Sequence, residues 1–234
     1  MKAYLFDLDG TLTDSREGLF SSFRAALNGL AIPDQTDEEL DRFLGTPLPE
    51  MFRALKPGLS KKQIAGGIDA FRSAYEADGI TRNLLYPGVP EMLEAIVRKG
   101  AGSWVVTSKP EHYAVQVTRD LGLDRYVRGV IGAGLDETDS KGELIARALA
   151  EAKVAGKDAL MLGDRFYDVV GALETGVLPV GALWGYGAYE ELHAAGCRHF
   201  AQSPDEFRKT FVEAAVIPSL VDGRGKRNQP SVGI

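Results

Sequence analysis

An α/β fold, a mostly parallel sheet covered by helices and interrupted by one helix-rich insertion, is predicted for this 234-residue chain. Three observations predict it. Short apolar runs recur near residues 3–7, 103–107, 129–132, 159–163 and 178–183, with helical patterns between several of them, as in parallel strands joined by helical crossovers. The gap between the first two runs is too long for one crossover and carries helical patterns instead. Three of the runs end in an acid or a hydroxyl, Asp7, Thr107 and Asp164, at the sheet edge where open α/β proteins bind ligands.

Taken in order, Ala3-Tyr4-Leu5-Phe6 has the length and aromatic content of a buried strand and stops at Asp7. Residues 14–85 read as an insertion with helices over 16–30, 38–43, 49–55 and 61–77. Tyr86-Pro87-Gly88 punctuates the return, and a helix follows over 89–99. Gly100-Ala101-Gly102 leads into Ser103-Trp104-Val105-Val106, which ends in Thr107-Ser108-Lys109-Pro110 before a helix over 111–121. Asp139-Ser140-Lys141 opens the amphipathic stretch 142–152. Ala159-Leu160-Met161-Leu162 ends in Gly163-Asp164-Arg165-Phe166-Tyr167-Asp168. A helix beginning near Arg165 would be capped by Asp164 and carry Asp168 one turn along, both near the same crevice. The expected organisation is a core of residues 1–13 and 86–217, a helical unit of residues 14–85, and a polar, basic tail of residues 218–234.

The chemistry concentrates at the strand ends. In Asp7-Leu8-Asp9-Gly10-Thr11, two carboxylates one residue apart repel unless a cation or a shared proton intervenes. A divalent ion resolves the conflict, and an oxygen-rich set without imidazole favours Mg²⁺. A solvated Asp-Gly turn is the competing reading. Thr107 either hydrogen-bonds a phosphate oxygen or caps the helix after it. Lys141 either neutralises a phosphate, restrains a nucleophile, or solvates a helix face.

Asp7-x-Asp9-Gly10-Thr11, then Thr107-Ser108, then Lys141, then Gly163-Asp164-x-x-x-Asp168 resemble, in this order, the four motifs of the haloacid dehalogenase superfamily of hydrolases. The resemblance covers about residues 3–205. It implies a Rossmannoid parallel-sheet core with an inserted all-helical cap that closes over the active site. It also implies that Asp7 attacks phosphorus to form an aspartyl-phosphate and that Asp9 is the general acid and base. Mg²⁺ would bridge the Asp7 carboxylate, the Asp9 carbonyl and Asp164, with Asp168 supporting it, while Thr107 and Lys141 hold the phosphoryl oxygens. Halide-displacing members lack the second Asp. A membrane pump of this superfamily is excluded, since no window approaches about 18 uninterrupted apolar residues. A phosphomutase, which uses the same two acids, and a non-catalytic phospho-ligand-binding module remain alternatives to a phosphatase.

Substrate candidates lie at Ser108 and in the insertion. Arg16 closely follows the first motif, and Arg42 precedes Leu44-Gly45-Thr46-Pro47-Leu48, which resembles the cap substrate loop of phosphoglycolate-phosphatase-like enzymes. Arg82 and Asn83 mark the hinge. Arg16, Gly45 and Thr46 are therefore expected at the substrate, and the ensemble suggests a small anionic organic phosphate. Two features qualify that choice. Lys141 is followed by Gly142 rather than by the Pro-x-Pro of many phosphoglycolate phosphatases. Leu183-Trp184-Gly185-Tyr186-Gly187 resembles a late loop of a branch that also includes nucleotidases. Taken alone, Trp184 and Tyr186 read as packing residues, while Phe166 and Tyr167 are bulky enough to alter access to the crevice.

A formal net charge of −6 and a pI near 5.2 give no general attraction for nucleic acid, and the main body has no basic stripe. The single cysteine, Cys197, cannot form an internal disulfide, which suits a reducing cytoplasm. The chain enters a strand almost at once, so no signal peptide is expected. His112, His193 and His199 are scattered without metal-ligand spacing. The expected partner is a small phosphorylated metabolite, not a membrane or a polynucleotide, and the expected state is a monomer or homodimer.

Overall fold

The structure, a computed structural model, describes residues 1–135 and 138–214. The tail expected over 218–234 lies outside the described residues. The strands are β1 Ala3–Phe6, β2 Thr13–Asp14, β3 Leu84–Leu85, β4 Gly102–Pro110, β5 Gly129–Ala133, β6 Ala159–Gly163, β7 Leu178–Ala182 and β8 Phe200–Ala201. Six of them form one sheet in the order β5-β4-β1-β6-β7-β8, with every neighbouring pair parallel. The register sets Phe6 opposite both Val105 and Leu162, so the residues that follow all three strands emerge at one edge.

The central strand is apolar throughout because both sheet faces are covered. Tyr4 and Phe6 point into one cluster with Val89, Met92, Leu93 and Ile96 of the helix Val89–Arg98. Ala3 and Leu5 point into another with Leu144, Ile145 and Ala148 of the helix Lys141–Ala152. That second helix starts where a capping box dictates. Ser140 Oγ accepts from the Glu143 N–H at 3.2 Å and the Glu143 carboxylate accepts from the Ser140 N–H at 2.8 Å, which makes Lys141 the first helical residue.

Between β1 and β4 the helices Arg16–Gly29, Asp37–Asp41, Leu48–Leu55 and Lys61–Ala77 form the insertion. They have a core of their own, which includes Phe20, Phe23, Leu27, Leu40, Met51, Phe52 and Ile64. The chain leaves and re-enters the main body through β2 and β3, an antiparallel pair with Thr13 opposite Leu85 and Asp14 opposite Leu84. Strands of two residues leave no periodicity to read, so these and β8 were not foreseen.

Three local expectations are corrected. β4 does not end at Thr107 but runs to Pro110, with its register shifting between Val106 and Pro110. A proline cannot donate to a regular ladder, and an irregularity at a strand end re-aims the side chains around it. Thr107 does not cap the helix Glu111–Asp120. Pro110 occupies that position, and Thr107 Oγ1 accepts from the Lys109 N–H at 3.2 Å. Asp164 does not cap the helix Phe166–Glu174 either. Arg165 is its boundary residue, its N–H donating to Asp168 Oδ2 at 3.1 Å, because the Asp164 carboxylate is engaged elsewhere.

Candidate active site

Asp7 follows β1 directly, its N–H donating to the Leu162 carbonyl at 3.0 Å, and its side chain is 13% exposed. Lys141 reaches it from the helix start: Nζ donates to Asp7 Oδ1 at 3.0 Å and to the Val106 carbonyl at 3.0 Å. The same ammonium forms an ion pair with Asp168 Oδ1 at 2.8 Å. Burial pulls the Lys141 pKa down, but Asp168 and Asp7 outweigh it, so the net shift is upward and the group stays charged.

Asp7, Asp164 and Asp168 each bring a carboxylate oxygen to one point, all within 4.8 Å of one another. Asp164 and Asp168 are buried. Burial first, then the charges of Asp7 and Asp168, push the Asp164 carboxyl well above its usual range; burial and Asp7 also raise Asp168, against the pull of Lys141. Three carboxylates facing one ammonium leave negative charge uncompensated, and oxygen donors are what a hard divalent cation takes. The residues fit Mg²⁺.

The loop after β1 is shaped around Asp164. Gly10 has φ +85°, and a Cβ there would lie 2.3 Å from Asp164 Oδ2. Thr11 Oγ1 donates to Asp164 Oδ1 at 2.8 Å and the Tyr186 N–H donates to Oδ2 at 2.9 Å. A Cβ on Gly185 or Gly187 would strike Asp164 itself. Trp184 Nε1 donates to the Thr11 carbonyl at 3.0 Å, and the Tyr186 hydroxyl accepts from the Ser15 N–H at 2.9 Å. The Trp184-Gly185-Tyr186-Gly187 run is thus a clamp that orients Asp164 and the Asp7-to-Ser15 loop.

Asp9 lies outside the three-carboxylate cluster. Its Oδ2 accepts from Lys109 Nζ at 2.6 Å, and that ammonium sits 4.8 Å from the Tyr75 ring centroid. Burial opposes the charge on Lys109, but Asp9 and Tyr75 prevail and the net shift is upward. Sequence reasoning missed Lys109, although a lysine two residues beyond a strand-end hydroxyl was the available signal.

A cavity of about 480 Å³ lies over this floor. Asp7, Asp9, Thr107, Ser108, Lys141 and Asp168 line it, as do Gly45 and Thr46 from the insertion, with Asp164 beneath. Arg16 is not brought to it. Its Nε donates to Asp41 at 2.9 Å and its Nη1 to Asp14 at 3.2 Å, and these pairs hold it outside the cavity, over the Tyr186 ring at 4.5 Å. Arg82 pairs with Glu17 at 2.6 Å and with Asp78 at 2.5 Å, and Asn83 Nδ2 donates to the Ile80 carbonyl at 2.7 Å. Neither these nor Arg42 line the cavity.

Arg165 was also missed. From the start of the helix Phe166–Glu174 its guanidinium donates across the cavity to the Leu44 carbonyl of the insertion loop and to Glu191 at 2.8 Å. Gly45 has φ +78°, a left-handed conformation that favours glycine, and a Cβ there would lie 3.0 Å from Arg165 Nη1.

The family model described as haloacid dehalogenase-like hydrolase matches residues 4–182. The chain belongs to this family. Among curated relatives, a 5'-nucleotidase from Pseudomonas aeruginosa is 36% identical over 197 residues, covering 84% of this chain and 89% of its own. The tyrosine-protein kinase PtkA from Mycobacterium tuberculosis is 37% identical over 78% of this chain, which spans 62% of that protein. A phosphoglycolate phosphatase from Vibrio parahaemolyticus is 27% identical over 92% of this chain and 98% of its own. A crystal structure of a phosphatase from Clostridium acetobutylicum, assigned as such by prediction, superposes with a TM-score of 0.84 at 34% identity, covering 91% of this chain and 99% of its own. Among the described residues no helix of this hydrolase is long and apolar enough to cross a membrane.

Proposed function

We propose that this hydrolase is a Mg²⁺-dependent phosphatase of small organic phosphate monoesters. The observation that carries the reading is the convergence of Asp7, Asp9, Thr107 and Lys141 on one cavity, which buried Asp168 also lines and under which Asp164 lies. The names of the Pseudomonas and Vibrio relatives support it.

An Asp7 carboxylate oxygen attacks phosphorus, and the bond from phosphorus to the ester oxygen breaks as Asp9 delivers a proton to that oxygen. Asp9 then takes a proton from the water that attacks the aspartyl-phosphate, which restores Asp7 and releases inorganic phosphate. The Lys141 ammonium and the Thr107 hydroxyl bind the phosphoryl oxygens, and Lys141 restrains Asp7 at the same time. Asp7, Asp164 and the Asp9 carbonyl would hold Mg²⁺, with Asp168 supporting them. When bound, the ion offsets the repulsion between Asp7 and an anionic substrate. Lys109 fixes the orientation of the Asp9 carboxylate.

In this reading residues 14–85 are a cap hinged at β2 and β3, and its closure excludes water from the phosphoryl group. A lone buried cysteine suits a cytoplasmic location. Hydrolysis of p-nitrophenyl phosphate is expected to require Mg²⁺ and to fall by at least about 10⁴-fold in Asp7→Asn. Undiminished turnover in that variant would overturn the mechanism, and an isomerised sugar phosphate in place of free phosphate would indicate a mutase.

A further inference from the structure

We infer that the preferred substrate of this site carries an aromatic ring on its leaving group, held against the cap wall; the inference rests on the phosphatase reading above. The wall is a continuous ladder of rings, three from the cap and Tyr113 from the core helix Glu111–Asp120. Phe23 and Phe71 have centroids 5.3 Å apart, Phe71 and Tyr75 are 5.9 Å apart and nearly parallel at 5°, and Tyr75 meets Tyr113 edge-on at 5.3 Å. All four line the cavity, Phe23, Tyr75 and Tyr113 as buried rings and Phe71 as the part-exposed one. The ladder begins beside the chemistry, since the Tyr75 ring lies 4.8 Å from Lys109 Nζ, which holds Asp9. A leaving group protonated by Asp9 therefore emerges beside this ladder, whose part-exposed ring is Phe71.

The other side of the same cavity carries Phe166 and Tyr167, whose rings lie 3.7 Å apart and which are 36% and 39% exposed. Two adjacent aromatic side chains left open at a cavity are apolar surface awaiting a partner, and offset or tilted ring pairs favour planar ligands. The cations that line the cavity floor, Lys109 and Lys141, face Asp9 and Asp7. Arg72 and Arg165 also line the cavity, but Arg72 donates to the Leu135 carbonyl and Arg165 to the Leu44 carbonyl and Glu191, while Arg16 and Arg82 are paired with carboxylates outside it. Beyond the phosphoryl group, the geometry favours an aromatic ring over a second anion. A cavity of about 480 Å³ lies within the range of sites for ligands of several rings and linkers.

The test compares esters with matched alcohol leaving groups: benzyl phosphate against ethyl phosphate, and adenosine 5'-monophosphate against ribose 5-phosphate, with phosphoglycolate as the acidic competitor. The expected result is a kcat/KM at least about tenfold higher for the ring-bearing member of each pair, expressed mainly in KM. Phe71→Leu should narrow both ratios several-fold, and Tyr167→Ser, at an exposed position, does the same without disturbing the cap core. Equal rates within each pair, faster phosphoglycolate hydrolysis, or ratios unmoved in both variants would overturn the inference while leaving the phosphatase reading intact. No phosphate from any of the five esters would overturn the phosphatase reading, and this inference with it.

Discussion

The floor of the cavity and its cap are held by different physics. On the floor nearly every polar atom has a named partner: Asp164 is fixed by Thr11 and Tyr186, Asp7 by Lys141, and Asp9 by Lys109. The cap presents rings and short loops whose positions follow from packing around Phe23, Leu27 and Phe52. Point contacts prescribe a reaction, because moving one donor by an ångström changes which charge is stabilised. A packed surface prescribes a shape, which can change by many small steps while the reaction stays the same.

Breaking the floor is expected to have the largest effect. In Lys141→Met, Asp7 and Asp168 lose their shared ammonium, and kcat should fall on the order of 10³-fold. Unfolding of the metal-free protein should become easier by about 3 kcal/mol, since a broken buried pair leaves its partners uncompensated. Steady-state kinetics and urea melts check both. A variant with unchanged kcat would reduce Lys141 to a structural residue.

A smaller effect, still on the floor, is a dependence on pH. The folded pKa values of Asp164 and Asp168 are raised above the usual carboxylate range, so the folded, metal-free state binds more protons than the unfolded chain. That contribution to stability is fully present below about pH 4 and is lost as pH rises through the raised values toward neutrality. In metal-free protein, Tm should therefore drop between about pH 5 and pH 8 from this source, and added Mg²⁺ should restore Tm more at pH 8 than at pH 5. A Mg²⁺ effect independent of pH would separate the carboxylate cluster from metal binding.

The joint between floor and cap should be the mildest target. Arg165→Gln removes the contact to the Leu44 carbonyl and the pair with Glu191, so the Gly45-Thr46 loop is held less well. KM should rise by roughly tenfold with kcat changed less, as expected when positioning rather than chemistry is lost. A fall confined to kcat would place Arg165 in the chemistry instead.

The same contrast decides what was legible in the sequence. Asp7, Thr107 and Asp164 could be found because an acid or hydroxyl that stops an apolar run marks a sheet edge, and the parallel register brings those edges level. Lys141 could be found because it opens an amphipathic stretch and falls between Thr107 and Asp164 in the order of the four motifs, and the structure adds the Ser140–Glu143 capping box that makes it the first helical residue. Lys109 and Arg165 were hidden within motifs whose other members drew the attention, and their partners lie 100 and 121 residues away. Arg16 illustrates the converse. Nearness to the first motif in sequence suggested substrate contact, but the first cap helix directs it to Asp14 and Asp41. The aromatic ladder was illegible for another reason: its rings come from three helices, and no local pattern shows that Phe23 meets Phe71 or that Tyr75 meets Tyr113.

The central claim is that phosphate passes through the Asp7 carboxylate. It is tested most directly in Asp9→Asn with p-nitrophenyl phosphate and Mg²⁺, quenched in acid during turnover, with the mass of the peptide containing Asp7 as the readout. The nitrophenolate leaves without protonation, whereas hydrolysis of the intermediate lacks its base, so that peptide should gain the mass of one phosphoryl group at Asp7. Release of inorganic phosphate with the peptide unmodified throughout would contradict the account.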